Sequence, residues 1–285
     1  MANLRKPLSA AAASLAAAMM LAACGATPAA PDPQAAAPGG TAATAPVTVT
    51  VGATPVPHAK ILQFVQQKLA AAAGIDLKIV EFDDYVQPNE ALASGELDAN
   101  YFQHLPYLDA QIAEKGYAFE HGEGVHIEPY AAFSSKYKSF AEVPDGTTIA
   151  ITNDAPNQIR GLRVLEQAGL LKGVADDSNV LNLTAEQNPH GFRFVENQSE
   201  VIVQQLDDPA IDVAFINGNF ILTAGLSAKD AIGIEKVEGN PYANILVWRS
   251  DTTNPGVATL EKLLHSKEVA DFIRQTWPSG DVIPG

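Results

Sequence analysis

The stretch that decides the fold is GELDANYFQHLPYLDAQ, residues 95–111. It reads as a short strand over 97–102 that runs into a helix from about Pro106. Leu105, Leu108 and Ile112 recur at spacings of three and four, the stripe by which a helix docks on a sheet. At the junction stands Tyr101-Phe102-Gln103-His104, where an open α/β sheet delivers side chains to the crevice beyond its strand ends. Two rings and an imidazole at that place suit a small, partly apolar ligand. The same residues serve equally well as ordinary core, with His104 a satisfied loop histidine.

The chain on either side extends the alternation. Before it, residues 47–51 alternate valine with threonine and read as a first strand, turned at Gly52-Ala53-Thr54-Pro55. Ile61, Leu62, Val65 and Leu69 make the apolar stripe of a helix closed by Gly74. A second strand over 77–82 leads through Asp83-Asp84-Tyr85 to a short helix that opens at Pro88-Asn89. This β-α-β-α-β order predicts an α/β fold with a mostly parallel sheet and helices on its faces. After it, residues 125–134 form an extended run containing Pro129, expected to be a connection rather than a central strand. A second α/β series then begins. Its strands are expected at 147–152, 192–195 and 211–216, the last running into Asn217-Gly218-Asn219. Its helices are expected from Pro156, carrying Ile159, Leu162 and Leu165, and at 200–206. Strands at 232–237 and 243–248 and helices at 256–265 and 267–276 complete the chain. The pattern implies two lobes joined by a hinge, with a ligand cleft between them: 47–130 plus 246–285 as the first, 131–245 as the second. One continuous sheet is the alternative.

Not all 285 residues belong to that unit. Arg5 and Lys6 precede an Ala/Leu/Met-rich run, and residues 1–23 read as a secretory signal. It ends in Leu21-Ala22-Ala23-Cys24-Gly25, which resembles the lipobox of bacterial lipoproteins. The resemblance implies cleavage before Cys24 and a lipid on its sulfur, holding the protein at a bilayer facing the periplasm or cell exterior. Residues 24–46, rich in Ala, Pro, Gly and Thr, read as a flexible tether. Cys24 is the only cysteine, so no intramolecular disulfide and no thiolate metal cage can form.

The formal net charge is −15; loss of 1–23 removes Arg5 and Lys6 and no acid, leaving −17. Such a surface repels phosphate backbones and argues against a nucleic-acid partner. The sequence has no GxSxG elbow, P-loop or HExxH, so no enzyme class and no cofactor is indicated. His58, His104, His121, His126, His190 and His265 lack a paired metal-ligand spacing, and no metal site is expected from them.

Several segments together resemble one family. They are VGATPVPHAKIL, GELDANYFQHLPYL, HIEPYAAFSSKYKS, ITNDAPNQIRGLRVLEQAGLL, AFINGNF and Pro241-Tyr242-Ala243-Asn244, in that order over nearly all of 47–285. The chain is similar to the NlpA lipoproteins, the methionine-binding lipoproteins of methionine ABC importers. The resemblance implies a periplasmic-binding-protein-like fold that closes on methionine and delivers it to a permease with its ATPase. It places an aromatic pocket for the thioether chain on Tyr85, Phe102 and His104. It places a carboxylate-binding arginine on Arg160 and polar asparagines at Asn217 and Asn244.

The chemistry agrees. Arg160 offers a planar fork suited to bidentate contact with a carboxylate. The two amides can serve both ends of a zwitterion. Each residue also has a plainer reading: a surface helix arginine, a turn asparagine before Gly218, an asparagine closing a strand. Val56, Lys60, Tyr130-Ala131-Ala132, Pro156 and Ile159 depart from the family's commoner residues. A related amino acid, a methionyl peptide, or a surface lipoprotein without a transport role therefore remain alternatives.

Overall fold

The computed structural model describes residues 45–285. The signal segment, Cys24 and nearly all of the expected tether lie outside the described residues. Among the described residues no helix is long and apolar enough to cross a membrane.

From β1 (Val47–Ala53) the chain passes through a helical segment whose regular middle is α1 (Lys60–Val65) into β2 (Ile75–Glu81). Next come α2 (Gln87–Ser94), β3 (Ala99–His104), α3 (Leu105–Lys115), β4 (Phe119–Ile127) and β5 (Ala131–Phe133). The second series is β6 (Thr148–Thr152), α4 (Ala155–Gln167), β7 (Arg193–Asn197), α5 (Ser199–Ile202), β8 (Val213–Ile216), α6 (Gly218–Thr223) and β9 (Gly233–Ile234). The chain closes with β10 (Asn244–Arg249), α7 (Pro255–Leu264), α8 (Lys267–Thr276) and β11 (Ile283–Pro284).

Two sheets result. The first runs β11-β4-β10-β3-β1-β2, with β1 parallel to β2 and β3 and β10 antiparallel to β3 and β4. The second runs β7-β6-β8-β5-β9, with β6 parallel to β7 and β8 and β5 antiparallel to its neighbours. Each sheet anchors one lobe. The chain crosses between them twice, at 128–130 and at 235–243.

Alternation along the strands explains why both faces of each sheet are covered. In the first, Val49, Val51, Ala53 and Tyr101 pack against α1, α7 and α8. Ile245 and Val247 face the other way, onto Leu92 of α2 and Leu108 of α3. In the second, Ile149, Ile151 and Phe215 meet Ile159, Leu162 and Leu165 of α4, while Ala150, Ala214 and Ile216 meet Phe220 and Ile221 of α6. Gly161 sets the approach of α4: a Cβ there would lie 2.8 Å from Ile151 Cδ1. Mid-helix glycine costs about 1 kcal/mol relative to alanine; here it brings α4 down onto β6.

The sheets differ from the sequence expectation in places. Residues 125–134 are not a mere connection: they hold the end of β4 and all of β5, and Pro129 sits between the two strands rather than within either. The strand expected over 232–237 is only two residues long. Residues 200–206 are a short α-helix followed by a 3₁₀ turn. Asn244 and Ile245, grouped with the second lobe by the sequence reading, open β10 and pair with β3 and β4 of the first sheet.

Candidate functional site

All six residues named from the sequence, Tyr85, Phe102, His104, Arg160, Asn217 and Asn244, line one cavity between the two sheets. Phe102 and His104 come from the end of β3 and Asn244 from the start of β10, on the first sheet. Arg160 lies a turn into α4, and Asn217 lies between β8 and α6, on the second.

His104 does three things at once. It caps α3, where its Nδ1 accepts from the Tyr107 N–H at 3.2 Å. Its Nε2 therefore keeps the proton and donates to Asn157 Oδ1 at 3.0 Å, across the cleft. Its ring forms part of the wall. Burial, aided by the nearby Arg160 charge, lowers its pKa to about 3, so it is neutral.

Arg160 is buried among Tyr130, Tyr242, Asn157 and Glu235; it is no surface arginine. Asp154 caps α4 by accepting from Asn157 N–H at 2.9 Å, and Pro156 occupies the first turn. One turn on, the Arg160 fork meets Glu235: Nε donates to Oε1 at 3.0 Å and one terminal nitrogen to Oε2 at 2.8 Å. That nitrogen also donates to the Glu128 carbonyl at 3.0 Å, and the other donates to Asn157 Oδ1 at 2.9 Å. Tyr130 and Tyr242 place their rings 5.1 and 4.6 Å from the guanidinium carbon. Four of its five N–H groups are thus committed within the protein, the Nε–Nη2 edge to Glu235, and one Nη1 N–H is left.

A second network surrounds Glu128. Tyr101 donates its hydroxyl to His126 Nδ1, and His126 Nε2 donates to Glu128 Oε1 at 2.7 Å. His58 Nε2 lies 3.3 Å from the same oxygen and 3.1 Å from Asn244 Oδ1, while Thr54 donates to its Nδ1 at 2.7 Å. Burial lowers His58 to about 4, with Glu128 pulling upward against it, and lowers His126 to about 3. Burial raises the Glu128 pKa, against the lowering effect of His58, Arg160 and the Asn219 N–H. The ligating atoms of His58, His126 and Glu128 lie within 4.8 Å of one another, a grouping that the sequence spacing did not reveal. The 2.7 Å separation is a direct hydrogen bond; an ion held by both atoms at about 2.0–2.2 Å would force them apart. Gly218 makes room for this carboxylate: a Cβ there would stand 2.4 Å from Glu128 Cβ.

The remaining wall is aromatic. Tyr85 lies 5.9 Å from Phe102, 5.8 Å from Tyr107 and 5.2 Å from Phe220 between ring centres, and its hydroxyl donates to Asn219 Oδ1 at 2.5 Å. Facing that wall, two buried polar atoms have no partner: Asn217 Oδ1, an acceptor, and Asn219 Nδ2, a donor. Unpaired buried polar atoms are costly, and the pair offers one contact to a ligand donor and one to a ligand acceptor.

Sequence reasoning missed Glu128, Asn157, Asn219, Glu235, Tyr107 and His58. Asn157 and Asn219 stood inside the segments that pointed to the family, three and two residues from residues that were named. Nothing in the chain ties Glu235 to an arginine 75 positions earlier.

Comparison with known proteins gives the family. The family model described as NlpA lipoprotein matches residues 49–285. The chain is 37% identical over 244 residues to a methionine-binding lipoprotein of Bacillus subtilis, covering 83% of this chain and 87% of that one. It superposes on a lipoprotein from Actinomyces odontolyticus with a TM-score of 0.79 and 48% identity, over 84% of this chain and 99% of the other. A nutrient binding protein from Burkholderia cenocepacia, solved bound to methionine, gives a TM-score of 0.77 at 36% identity, over 83% and 99%. With a match that spans both sheets and every residue lining the cavity, the chain belongs to the NlpA lipoprotein family.

Proposed function

We propose that the protein is the solute-binding component of an ABC importer and that it holds methionine, or a close relative, in the cavity between its lobes. The observation that carries the reading is the placement of Asn217 Oδ1, Asn219 Nδ2 and the Glu128 carboxylate opposite the aromatic wall of Tyr85, Phe102 and Tyr107. An α-amino compound presents its ammonium to Glu128 and Asn217 Oδ1. Its carboxyl end meets Asn219 Nδ2 and the one uncommitted Arg160 N–H, with Asn244 completing the polar side. A thioether chain lies against the rings, where sulfur–aromatic contacts contribute about 0.3–1.5 kcal/mol each.

Binding of this kind closes two lobes because the ligand touches both. The crossovers at 128–130 and 235–243 are the natural hinges, with one lobe built on each sheet. The ligand leaves unchanged, delivered to a permease that its ATPase drives. A lipidated Cys24, reached through the tether, keeps the binding unit at the membrane surface. Purification under native conditions followed by denaturing mass spectrometry tests the reading. A released mass equal to methionine or a methionine-like amine supports it; release of a ligand lacking an amine overturns it.

A further inference from the structure

Two buried hydroxyl–imidazole pairs converge on Glu128. Tyr101 of β3 and His126 of β4 form one; Thr54, just past β1, and His58 form the other. All four side chains are at most 1% exposed. Each hydroxyl has a single hydrogen-bond partner among the described residues, the Nδ1 of the imidazole beside it. The opposite nitrogens meet at one oxygen: His126 Nε2 lies 2.7 Å and His58 Nε2 lies 3.3 Å from Glu128 Oε1.

This arrangement satisfies every group for one direction of the protons. A buried hydroxyl needs an acceptor, and Nδ1 is the one that each hydroxyl has. Nδ1 of both rings is therefore unprotonated, and a neutral imidazole then carries its proton on Nε2. Both Nε2–H groups face the carboxylate, His58 sharing its proton with Asn244 Oδ1 at 3.1 Å. In the reverse direction Glu128 is a carboxylic acid donating to His126 Nε2, and Nδ1–H faces the phenol oxygen. The tyrosine proton would then be buried with no acceptor, a costly state. The hydroxyls thus favour the ionised form of Glu128. A carboxylate has about four acceptor directions. The two imidazoles and the Asn219 N–H take no more than three of them, which leaves one for the cavity that Glu128 lines.

We propose that Tyr101 and Thr54 are positioning residues: by donating to Nδ1 they fix His126 and His58 as Nε2–H donors and hold the Glu128 carboxylate ionised, oriented and open to the ligand ammonium. Neither residue lines the cavity. The inference rests on the amino-compound reading of the cleft given above. It adds the hydroxyls, outside the cavity wall, on which the ammonium contact depends. Hydrogen bonds to an ionised partner are about twice as strong as neutral ones, so the contact weakens when the carboxylate gains a proton or turns away.

Two measurements on the mature protein, stripped of any carried ligand, test this. Nitrogen-15 NMR at neutral pH reports which nitrogen of each ring carries the proton. His58 and His126 are both expected as Nε2–H, and an Nδ1–H tautomer at either overturns the inference. Calorimetry with methionine then compares Tyr101→Phe and Thr54→Val, which remove the hydroxyl and keep the bulk, in the unsubstituted and the Glu128→Gln background. Each hydroxyl deletion weakens methionine at least fivefold, and less than twofold once Glu128 is glutamine, because the hydroxyls act through that carboxylate. A smaller effect of either single substitution overturns the inference. So does an effect of twofold or more that persists beside Glu128→Gln, since it marks a general distortion of the lobe. Either result leaves methionine binding, and with it the amino-compound reading, standing. Methionine that fails to bind the unsubstituted protein removes that reading, and the inference with it. Circular dichroism verifies each fold; where a variant does not fold, or binds too weakly to compare, the tautomers in the unsubstituted protein decide alone.

Discussion

His104 on the first lobe and Asn157 on the second are joined across the cleft by a 3.0 Å hydrogen bond. The accepting oxygen also takes Arg160 at 2.9 Å and Asn217 Nδ2 at 3.0 Å. One carbonyl oxygen thereby fixes three of the residues proposed to hold the ligand. Asn157→Ala leaves three buried donors without an acceptor, at about 1–3 kcal/mol for each that stays unpaired. Partial relaxation brings the expected loss of stability to about 2–4 kcal/mol. Denaturant unfolding measures it, and a loss below about 0.5 kcal/mol would show that the oxygen organises nothing.

Phe102 forms part of the aromatic wall beside Tyr85 and Tyr107 and is almost fully buried. Phe102→Ala should weaken methionine by about 1–3 kcal/mol, the scale of burying an apolar side chain. Alanine, whose side chain stops short of the ring, should lose much less. Equal weakening of both ligands in parallel titrations would assign the effect to a distorted lobe instead of a lost contact.

Acid should unfold the site. His58, His104 and His126 have folded pKa values of about 4, 3 and 3, below the unfolded value of 6.5. The unfolded chain binds more protons throughout that interval. The stabilisation is therefore complete above about pH 6.5 and declines as the pH falls toward 4. Glu128 acts oppositely, since burial raises its pKa; its contribution is present at low pH and lost as pH rises through the folded value. Three histidines against one carboxyl give a net decline on acidification. Urea midpoints at pH 7, 6 and 5 should fall in that order, and a flat or rising series would contradict the neutral, buried state of these rings.

The proposed lipid anchor is tested apart from the ligand site. Cys24 and nearly all of the expected tether are outside the described residues, while β1 begins at Val47. Cys24→Ala should yield protein that washes off membranes with carbonate and binds ligand as before. Retention on the membrane after that wash would rule out a lipid on this sulfur as the attachment.

Much of the fold was legible because its strands carry clear alternation. Residues 47–51 and 147–152 announce which side chains face which helix, and Leu105, Leu108 and Ile112 dock α3 as their spacing predicts. β5 was not legible and β9 only in place, not in length: three and two residues are too short to show a period, and both strands exist only because neighbouring strands pair with them. The six residues read as site converge on one cavity, since strand ends and helix starts fix their positions locally. Their partners do not follow from local rules. Glu235 reaches Arg160, and His58 reaches Glu128, only through the tertiary fold. Burial also adds a partner that the sequence did not show: one edge of the arginine fork read as suited to a ligand carboxylate is paired with Glu235.

The most direct measurement is titration of ligand-free protein with L- and D-methionine, followed by calorimetry and by small-angle scattering of the same samples. Saturable one-to-one binding of at least one enantiomer is predicted, together with a negative heat-capacity change and a smaller radius of gyration in the bound state. No heat and no compaction with either enantiomer or with methioninamide, at concentrations up to about 1 mM, would correspond to less than about 4 kcal/mol of binding and would contradict a methionine-type ligand in this cleft.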